Sequence, residues 1–443
     1  MAVERPMRLL VLSNGHGEDL LARTLVSALQ ARAAEVGVAL EVWAFPLVGE
    51  GLAWTASEPG RRAVPEPLGA AAEERGGRPW KVVGVQAAMP SGGFLLEGSG
   101  GLWKDLRAGL LGLAARQARS VRGLGRQADW VLAVGDVVPL AAGILLARRP
   151  TVFVSTAKSE RIRGFGRAER RLMRRARLVF ARDPESARAL ADAGVPARYA
   201  GNLMMDALEA GPLPEAATDG LVVALLPGSH ADAYDNLAVM GRVAMAVAAC
   251  WPGPARFLVP LAAGLDPVRA QDALASGGWR AAGGPPQEGP GAAPAAEAGG
   301  RWFETGSAAR GGPLLWMGQG LFGSVLHGCH LVVGLAGTAN EQAAGLGKPV
   351  VTFPGPGIQA TEAFLADQRR LLGEAVVVAP PDPDAVAREI CRIASDPAAY
   401  RRMSEAGRAV MGRAGAAGRM AGQIVAAFGG GEGPFGPAEK IRP

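Results

Sequence analysis

Short apolar runs alternate with amphipathic segments along the first half of the chain. Arg8–Leu12 and Leu40–Phe45 have the length of buried strands, while Leu21, Leu25 and Leu29 repeat at the spacing of one helix face. The other predicted elements of this half are strands at Lys81–Val85, Asp129–Val134, Thr151–Val154 and Val179–Arg182, and a helix through Leu140–Leu146. Strands that alternate with helices predict a parallel sheet covered by helices on both faces.

The same alternation restarts after Glu209–Gly220, a stretch rich in proline, glutamate and alanine. The predicted strands of the second half are Leu221–Leu226, Arg256–Pro260, Leu331–Leu335 and Val350–Phe353. Its predicted helices are Asn236–Ala249, Gly320–His327, Ala385–Ala394 and Ala399–Ala427. Two successive α/β halves predict two Rossmann-like domains whose parallel sheets face each other across a cleft.

The predicted domains are 1–203 and 221–400, joined by a linker at 204–220 and followed by C-terminal helices at 401–428. Within the second domain, the segment 276–312 is rich in glycine, proline and alanine and shows little periodicity. It is therefore predicted to be a mobile surface loop. The last residues, 429–443, are predicted to be disordered.

Glycine-rich turns follow several of the predicted strands. They are Ser13–Gly17, Gly135–Asp136, Pro227–His230 and Ala336–Thr338. Ligands of open parallel sheets bind at the carboxyl ends of the strands. A helix that begins without bulky side chains, as after Ala336–Thr338, presents backbone N–H groups and a partial positive charge, which together favour a phosphate. A carboxylate one turn further on can hydrogen-bond a ribose.

Composition describes a globular protein of 443 residues, 49% hydrophobic and 20% charged. The three cysteines are scattered and odd in number, which predicts a reducing compartment and no disulfide framework. Met1–Pro6 leads directly into a strand, so no signal peptide is expected. No run of about 18 uncharged apolar residues occurs, so no membrane span is expected either. The predicted location is cytoplasmic.

The net charge of +6 comes mostly from arginine, with eight arginines in Arg161–Arg177. A basic face suits an anionic membrane surface, which would place the protein peripherally at its inner face, or phosphorylated substrates. The alternative is a solvated helix. Nucleic acid is not expected as a partner, because no aromatic residues interleave with the arginines to stack on bases. Phe94–Trp103 and Leu106–Leu113 are typical either of an interfacial amphipathic segment or of a helix packed on the core.

Four segments together resemble lipid-A-disaccharide synthase and its related proteins, which are glycosyltransferases of the GT-B fold. They are the Ser13–Asp19 turn, Tyr199-Ala-Gly-Asn-Leu-Met-Met-Asp206, Leu225-Leu-Pro-Gly-Ser-His230 and Ala336–Pro349. The related proteins also share the Pro354-Gly-Pro-Gly and Arg370-Leu-Leu-Gly signatures. The order and spacing of these segments cover nearly the whole chain apart from the insert and the tail.

The resemblance implies that the C-terminal half holds a UDP-sugar. The residues implied in binding it are Gly228, Ser229, His230, Gly337, Thr338, Ala339, Asn340, Glu341, Gln342 and Gln359. Either Glu341 or Gln342 would bind the ribose, because neighbours on a helix point about 100° apart and only one can face the ligand. The synthases carry their carboxylate at the position of Gln342, whereas this chain carries it at Glu341.

The resemblance also implies that the N-terminal half holds the acceptor, with Asn14, Gly15, Gly17 and Glu18 in its loop. A transferase needs a base near the acceptor hydroxyl. His16 titrates in a suitable range, Asp136 is the alternative base, and Asp19 is the third candidate catalytic residue. The simpler interpretations are that Asp19 is a charge at a helix N-terminus and that Asp136 caps the following helix. This chain has Gly15 where the synthases carry a glutamate.

The leading hypothesis is an inverting, metal-independent glycosyltransferase that needs no cofactor beyond its UDP-sugar co-substrate. The acceptor would be a lipid-like molecule or a saccharide. The alternatives are a non-hydrolysing UDP-N-acetylglucosamine 2-epimerase and a non-catalytic scaffold that binds nucleotide-sugars. No metal site is expected at His327-Gly-Cys-His330, because the residues precede a buried strand and no second ligand cluster exists.

Overall fold

The computed structural model describes residues 5–48, 51–55, 80–84, 110–282, 300–305, 312–357 and 360–428. The chain divides into two units. The first is Met1–Ala207 together with Ala414–Pro443, and the second is Leu208–Arg413. The last helix of the chain therefore belongs to the first unit, an assignment that its sequence does not reveal.

The first unit is built on a seven-stranded sheet in the order β3-β2-β1-β4-β5-β6-β7. All of its neighbouring strands pair in parallel. The strands are β1 (Met7–Ser13), β2 (Leu40–Pro46), β3 (Trp80–Val82), β4 (Trp130–Gly135), β5 (Thr151–Ser155), β6 (Leu178–Phe180) and β7 (Ala197–Arg198). Every residue of β5 is buried, as expected for a strand whose two faces are both covered.

Six of the described helices of the first unit lie between its strands, and a seventh lies at the end of the chain. They are α1 (His16–Glu35), α2 (Leu52–Thr55), α3 (Leu110–Gly125), α4 (Val137–Ala141), α5 (Arg167–Met173), α6 (Pro184–Asp192) and, at the end of the chain, α14 (Ala416–Phe428). A π-helix at Ala142–Ala147 extends α4, so the predicted helix through Leu140–Leu146 is only partly α-helical.

The second unit is built on an eight-stranded sheet in the order β10-β11-β12-β9-β8-β13-β14-β15. The strands are β8 (Leu221–Leu226), β9 (Ala255–Leu261), β10 (Trp279–Ala281), β11 (Gly300–Thr305), β12 (Leu314–Gln319), β13 (Leu331–Gly334), β14 (Val350–Thr352) and β15 (Val376–Val378). From β12 to β15 the pairing is parallel, while β10 and β11 add an antiparallel edge. β8 and β9 are buried along their full length.

The helices of the second unit cover this sheet. They are α7 (Ala233–Cys250), α8 (Pro267–Ser276), α9 (Phe322–Gly328), α10 (Thr338–Gly345), α11 (Glu362–Leu372), α12 (Pro383–Ser395) and α13 (Pro397–Met411). The predicted helical stretch Ala399–Ala427 is interrupted after Met411, where Gly412 and Gly415 adopt positive φ angles of 75° and 97°. Glycine adopts such angles readily, so the chain can turn there and begin α14. No described helix is both long and apolar enough to span a bilayer.

The prediction that 276–312 is a mobile surface loop is wrong for its two ends. β10 and β11 both lie within that segment and pair with each other and with β12. Trp279, Trp302 and Phe303 from these strands are buried in the core of the second unit or at its edge. The abundance of glycine and proline obscured the strands, because only these three aromatic residues signal them. Residues 283–299 and 306–311 lie outside the described part, as do Phe94–Trp103 and the tail 429–443.

The prediction of no disulfide is also wrong, because Cys250 and Cys391 are joined by one. They are separated by 141 residues in sequence. α7 ends at Cys250 and packs against α12, which carries Cys391, so the fold brings together two residues whose spacing suggests no connection. Cys329 is free and buried.

Candidate functional site

Each sheet has one point where the order of its parallel strands reverses. Counted from the first strand of each unit, the six parallel strands run 3-2-1-4-5-6, with β7 added in the first unit. The reversal lies between β1 and β4 in the first unit and between β8 and β13 in the second. A crevice opens at such a point because the two connections leave in opposite directions. The glycine-rich turns that the sequence singled out are the loops at these two points.

The first switch point gathers polar side chains from two loops. Asn14 and Glu18 follow β1, and Asp136 follows β4. A Cβ atom at Gly135 would overlap Asn14 Oδ1 and come within 3.3 Å of Glu18 Cγ. A Cβ atom at Gly15 would lie 2.7 Å from Glu18 Oε2. The two glycines therefore leave the space that lets Asn14 and Glu18 lie against the end of β4.

Burial raises the pKa values of the carboxyl groups at this switch point. For Glu18, burial is the main cause and the nearby Asp136 carboxylate adds to the rise. For Asp136, burial again raises the pKa, while its hydrogen bonds from the Val138 N–H, 2.7 Å long, and from Asn14 oppose the rise. Asp136 also caps α4 through that contact with Val138. Two neighbouring carboxyl groups with raised pKa values are better proton acceptors than ordinary carboxylates.

Asp19 is the most buried of these acids, with only 1% of its surface exposed. Its carboxylate accepts a hydrogen bond from the Ser13 hydroxyl. Burial raises the pKa of Asp19 to about 7, against the opposing effects of Ser13 and of the Trp54 indole, and the Glu18 charge adds to the rise. Because the carboxylate is enclosed, Asp19 supports the loop from behind.

For the remaining residues predicted for this loop, the structure shows the backbone position and, among the described residues, no side-chain contact that indicates a role. Gly15 precedes α1 with a φ of 147°, a conformation that favours glycine. Gly17 is exposed in the first turn. The backbone of His16 begins α1, and its side chain lies outside the described part of the chain.

An ion pair that sequence reasoning missed lies close to Asp136. Lys158 Nζ is 2.6 Å from Glu169 Oε1, and both charges act on the pKa of Asp136, Glu169 raising it and Lys158 lowering it. Two further pairs, Arg170–Glu160 and Arg161–Glu185, neutralise part of the arginine-rich segment. The basic face expected from Arg161–Arg177 is therefore partly compensated by acids.

The second switch point is formed by backbone turns rather than by carboxylates. Gly228 has a φ of 107°, which favours glycine. Ser229 and His230 are exposed beside it, with Ser229 Oγ 3.4 Å from His230 Nδ1. Behind the turn, the buried side chain of Asn236 donates from Nδ2 to the carbonyl oxygen of Pro227, 2.9 Å away.

α10 starts at the other side of this switch point. Gly337 precedes it without any side-chain cap, and Thr338 and Ala339 form its start. Asn340 is completely buried and donates from Nδ2 to the carbonyl oxygen of Gly334, 3.2 Å away. A helix that begins in this way offers its first N–H groups to an anion.

Glu341 and Gln342 are both buried, with 7% and 6% of their surfaces exposed. Burial therefore does not distinguish which of them would meet a ribose. A third loop, Pro354–Gly357, follows β14 next to them in strand order. Gln359 lies outside the described residues.

The segment His327–His330 has a structural role at the opposite edge of the second sheet. His330 Nδ1 accepts a hydrogen bond from the Val222 N–H, 3.0 Å long. Lys348 Nζ donates to the carbonyl oxygens of His327 and Cys329 at 2.9 and 2.7 Å. The Gly-Lys-Pro motif after α10 therefore closes this loop, and its lysine is bonded to backbone at that edge.

One surface cavity of about 560 Å³ lies at the amino edge of the first sheet. It is lined by Ile144, Leu145, Arg148, Arg149, Pro150 and Arg175. Since these residues precede β5 and β6, the cavity belongs to the edge opposite the switch point and contributes nothing to the candidate site.

No protein-family profile matches the chain, and no curated protein matches it in sequence. Solved structures do match its fold. S. aureus MnaA, solved with UDP, gives a TM-score of 0.56 at 13% identity over 96% of this chain and 97% of its own. The UDP-GlcNAc 2-epimerase of Neisseria meningitidis, bound to UDP-GlcNAc, gives 0.53 at 14% identity over 96% and 100%. The calicheamicin glycosyltransferase CalG4 gives 0.54 at 17% identity over 96% and 99%.

This chain has the GT-B fold. The two Rossmann-like sheets predicted from sequence are confirmed, and the matches extend over both units. Identities of 13–17% establish the fold and leave the reaction open. That the two sheets face each other across a cleft stays a prediction, as does the specific likeness to lipid-A-disaccharide synthase.

Proposed function

We propose that the protein transfers a sugar from a UDP-sugar to a lipid-linked or saccharide acceptor. The observation that carries the proposal is the contrast between the two switch points. The first holds carboxyl groups with raised pKa values, and the second holds backbone turns and a bare helix start. Acid–base chemistry on a hydroxyl and the binding of a diphosphate need these two kinds of site.

The second unit would bind the donor. The diphosphate would lie against Gly228, Ser229 and the start of α10, and either Glu341 or Gln342 would bind the ribose. As the bond between the anomeric carbon and the UDP oxygen breaks, negative charge develops on the leaving diphosphate. N–H groups already oriented toward that charge stabilise it without reorganisation, so the proposed mechanism needs no metal ion.

The first unit would bind the acceptor, with Asp136 as the base. Its carboxylate is half-buried, its pKa is raised, and it is held by Val138 and Asn14. The acceptor oxygen attacks the anomeric carbon and its proton passes to Asp136, while UDP departs with the bonding electrons. The configuration at the anomeric carbon is thereby inverted. Asp19 is too enclosed for direct contact, and His16 remains an alternative base.

The resemblance to lipid-A-disaccharide synthases supports an N-acetylglucosamine-type donor and an acceptor with a lipid portion. An acceptor of that kind would bring the protein to the inner surface of a membrane.

Epimerisation of UDP-N-acetylglucosamine at C2 is the second candidate. Two of the structural matches are UDP-bound or UDP-GlcNAc-bound proteins, one of them a 2-epimerase. The acids of the first switch point, Glu18 and Asp136, would supply the proton-transfer groups for such a reaction. Epimerisation breaks the C2–H bond, whereas glycosyl transfer leaves it intact.

One incubation separates the two reactions. The protein is mixed with UDP-N-acetylglucosamine in D₂O, with and without a pool of lipid-linked and saccharide acceptors, and followed by proton NMR. Transfer predicts release of UDP only when an acceptor is present, with hydrogen retained at C2. Deuterium at C2 without acceptor would establish the epimerase instead. If the protein binds UDP but neither releases UDP from the sugar nor incorporates deuterium at C2, the nucleotide-sugar-binding scaffold is favoured.

The donor site is tested by calorimetry with UDP, using ADP and GDP as controls. The Glu341→Ala, Gln342→Ala double variant should lose UDP-selective binding. Equal affinities for the three nucleotides in the wild-type protein would refute the donor assignment.

A further inference from the structure

The side chain of Asn236 connects two of the three loops at the second switch point. It is 1% exposed and lies in the first turn of α7. Its Nδ2 donates to the carbonyl oxygen of Pro227, which belongs to the loop after β8. Its Oδ1 is buried without a hydrogen-bond partner among the described residues. A buried amide whose second polar atom goes unpaired has an energetic cost, which suggests that its position serves more than stability.

The loop after β14 packs directly against the same side chain. A Cβ atom at Gly355 would lie 3.1 Å from Asn236 Oδ1. A Cβ atom at Gly357 would lie 3.0 Å from Asn236 Nδ2 and would overlap Asp232 Oδ2. Only glycine fits at these two positions without displacing Asn236. The Pro-Gly-Pro-Gly motif is thus explained by the close approach of its loop to α7.

The hydrogen bond to Pro227 has a consequence for the amide that follows. In a planar trans peptide the C=O and N–H groups point in opposite directions. Because Asn236 holds the Pro227 oxygen toward α7, the N–H of Gly228 in the same peptide plane points away from α7. No described residue accepts a hydrogen bond from this N–H. Glycine at 228 makes the alternative, flipped peptide accessible as well, so the orientation depends on Asn236.

We propose that Asn236 is a positioning residue that fixes the Pro227–Gly228 peptide so that the Gly228 N–H donates to the diphosphate of the donor. This assignment rests on the proposed function, because it requires the second unit to bind a nucleoside diphosphate. A flipped peptide would present the Pro227 carbonyl oxygen to the phosphate, and its partial negative charge would repel the ligand.

The test uses Asn236→Asp, which keeps the size of the side chain and removes the N–H donor. At pH 8 the introduced carboxylate repels the Pro227 oxygen, and the dissociation constant for UDP should rise at least tenfold relative to wild type. Burial raises the pKa of an introduced carboxyl. Lowering the pH toward 5.5 should therefore protonate it, restore a donor to Pro227 and bring the variant-to-wild-type affinity ratio back toward one.

Two controls separate positioning from general damage. Uridine lacks phosphates, so its affinity, measured by NMR, should be the same in the variant and in wild type. Val247→Ala leaves a cavity at a fully buried position of the same helix, and should lower stability without changing UDP affinity.

Three results would overturn the assignment. If Asn236→Asp binds UDP at pH 8 as tightly as wild type does, the orientation of the Pro227–Gly228 peptide does not depend on this side chain. A parallel loss of UDP and uridine binding, or an equal loss in Val247→Ala, would show that Asn236 acts only through stability. If wild type does not prefer UDP to ADP and GDP, the proposed function itself fails and the assignment falls with it.

Discussion

Replacing Asp19 by asparagine should remove a pH-dependent penalty on the stability of the first unit. Asp19 is enclosed beneath the loop after β1, and burial is the main reason why its pKa rises from 3.8 to about 7. Asparagine has nearly the same shape, and its oxygen can still accept the hydrogen bond that Ser13 donates. The substitution therefore removes the ionisation and keeps the hydrogen bond from Ser13.

The sign and size of the effect follow from the two pKa values. Between pH 3.8 and about 7 the folded protein keeps a proton that the unfolded chain releases, so the free energy of unfolding falls as the pH rises. Above pH 7 both states are ionised and the full penalty, about 4 kcal/mol, is present. Roughly 3 kcal/mol of it develops between pH 5 and pH 8. Asp19→Asn lacks this contribution and should gain that much relative to wild type over the same interval.

Urea unfolding followed by tryptophan fluorescence at pH 5, 6, 7 and 8 measures the difference between the two proteins. Asp192→Asn is the matched control, because it makes the same chemical change at an exposed position of the same unit and should show no trend with pH. A difference between Asp19→Asn and wild type that stays flat from pH 5 to pH 8 would refute the reasoning. It would mean that Asp19 is ionised in the folded protein at no cost.

Three other predictions concern the second unit. Lys348→Met should lower the free energy of unfolding by about 1–3 kcal/mol in urea titrations, since the carbonyls of the loop 327–329 lose their half-buried donor; an unchanged midpoint would contradict this. The pKa of His330 is lowered by burial and by the Lys348 charge, so stability should fall as the pH drops below 6.5, and NMR should show the imidazole titrating below that value. Reduction of the Cys250–Cys391 disulfide should destabilise this unit by about 2–5 kcal/mol, and Cys250→Ser should melt at the same temperature with and without reductant.

The parts of the fold that sequence predicts well are those set by local pattern. Runs such as Leu221–Leu226 are apolar throughout and appear as fully buried parallel strands. Glycine follows β1, β4, β8 and β13, so the sequence predicts their turns as ligand sites, and strand order brings these turns together in pairs. What pattern cannot supply is distance between remote segments. The disulfide depends on a contact across 141 residues that no local signal encodes, and the strand that begins at the buried Trp279 is marked in sequence only by that aromatic residue.

The sequence predicts which residues belong to the candidate site better than it predicts what each of them does. The family resemblance implies Glu18 as an acceptor-binding residue and Asp136 as a candidate base, and the structure adds the burial that raises their pKa values. Asp19 was predicted as catalytic, yet its enclosure against Ser13 indicates support of the loop. The sequence alone does not distinguish Asn236, since an asparagine near the start of a helix ordinarily indicates a cap.

The second switch point shows why a side chain's partner matters more than its type. Asn236 holds the carbonyl of Pro227, and Asn340 holds the carbonyl of Gly334, so the same amide-to-carbonyl contact occurs after both central strands. The amide that follows the second carbonyl, that of Leu335, already donates to the neighbouring strand. The amide that follows the first has no such partner among the described residues. Sheet pairing therefore fixes the Gly334–Leu335 peptide whether or not Asn340 is present. The orientation of the Pro227–Gly228 peptide depends on Asn236 alone. Of two identical residues in equivalent places, only Asn236 can control an N–H group that remains available to a ligand.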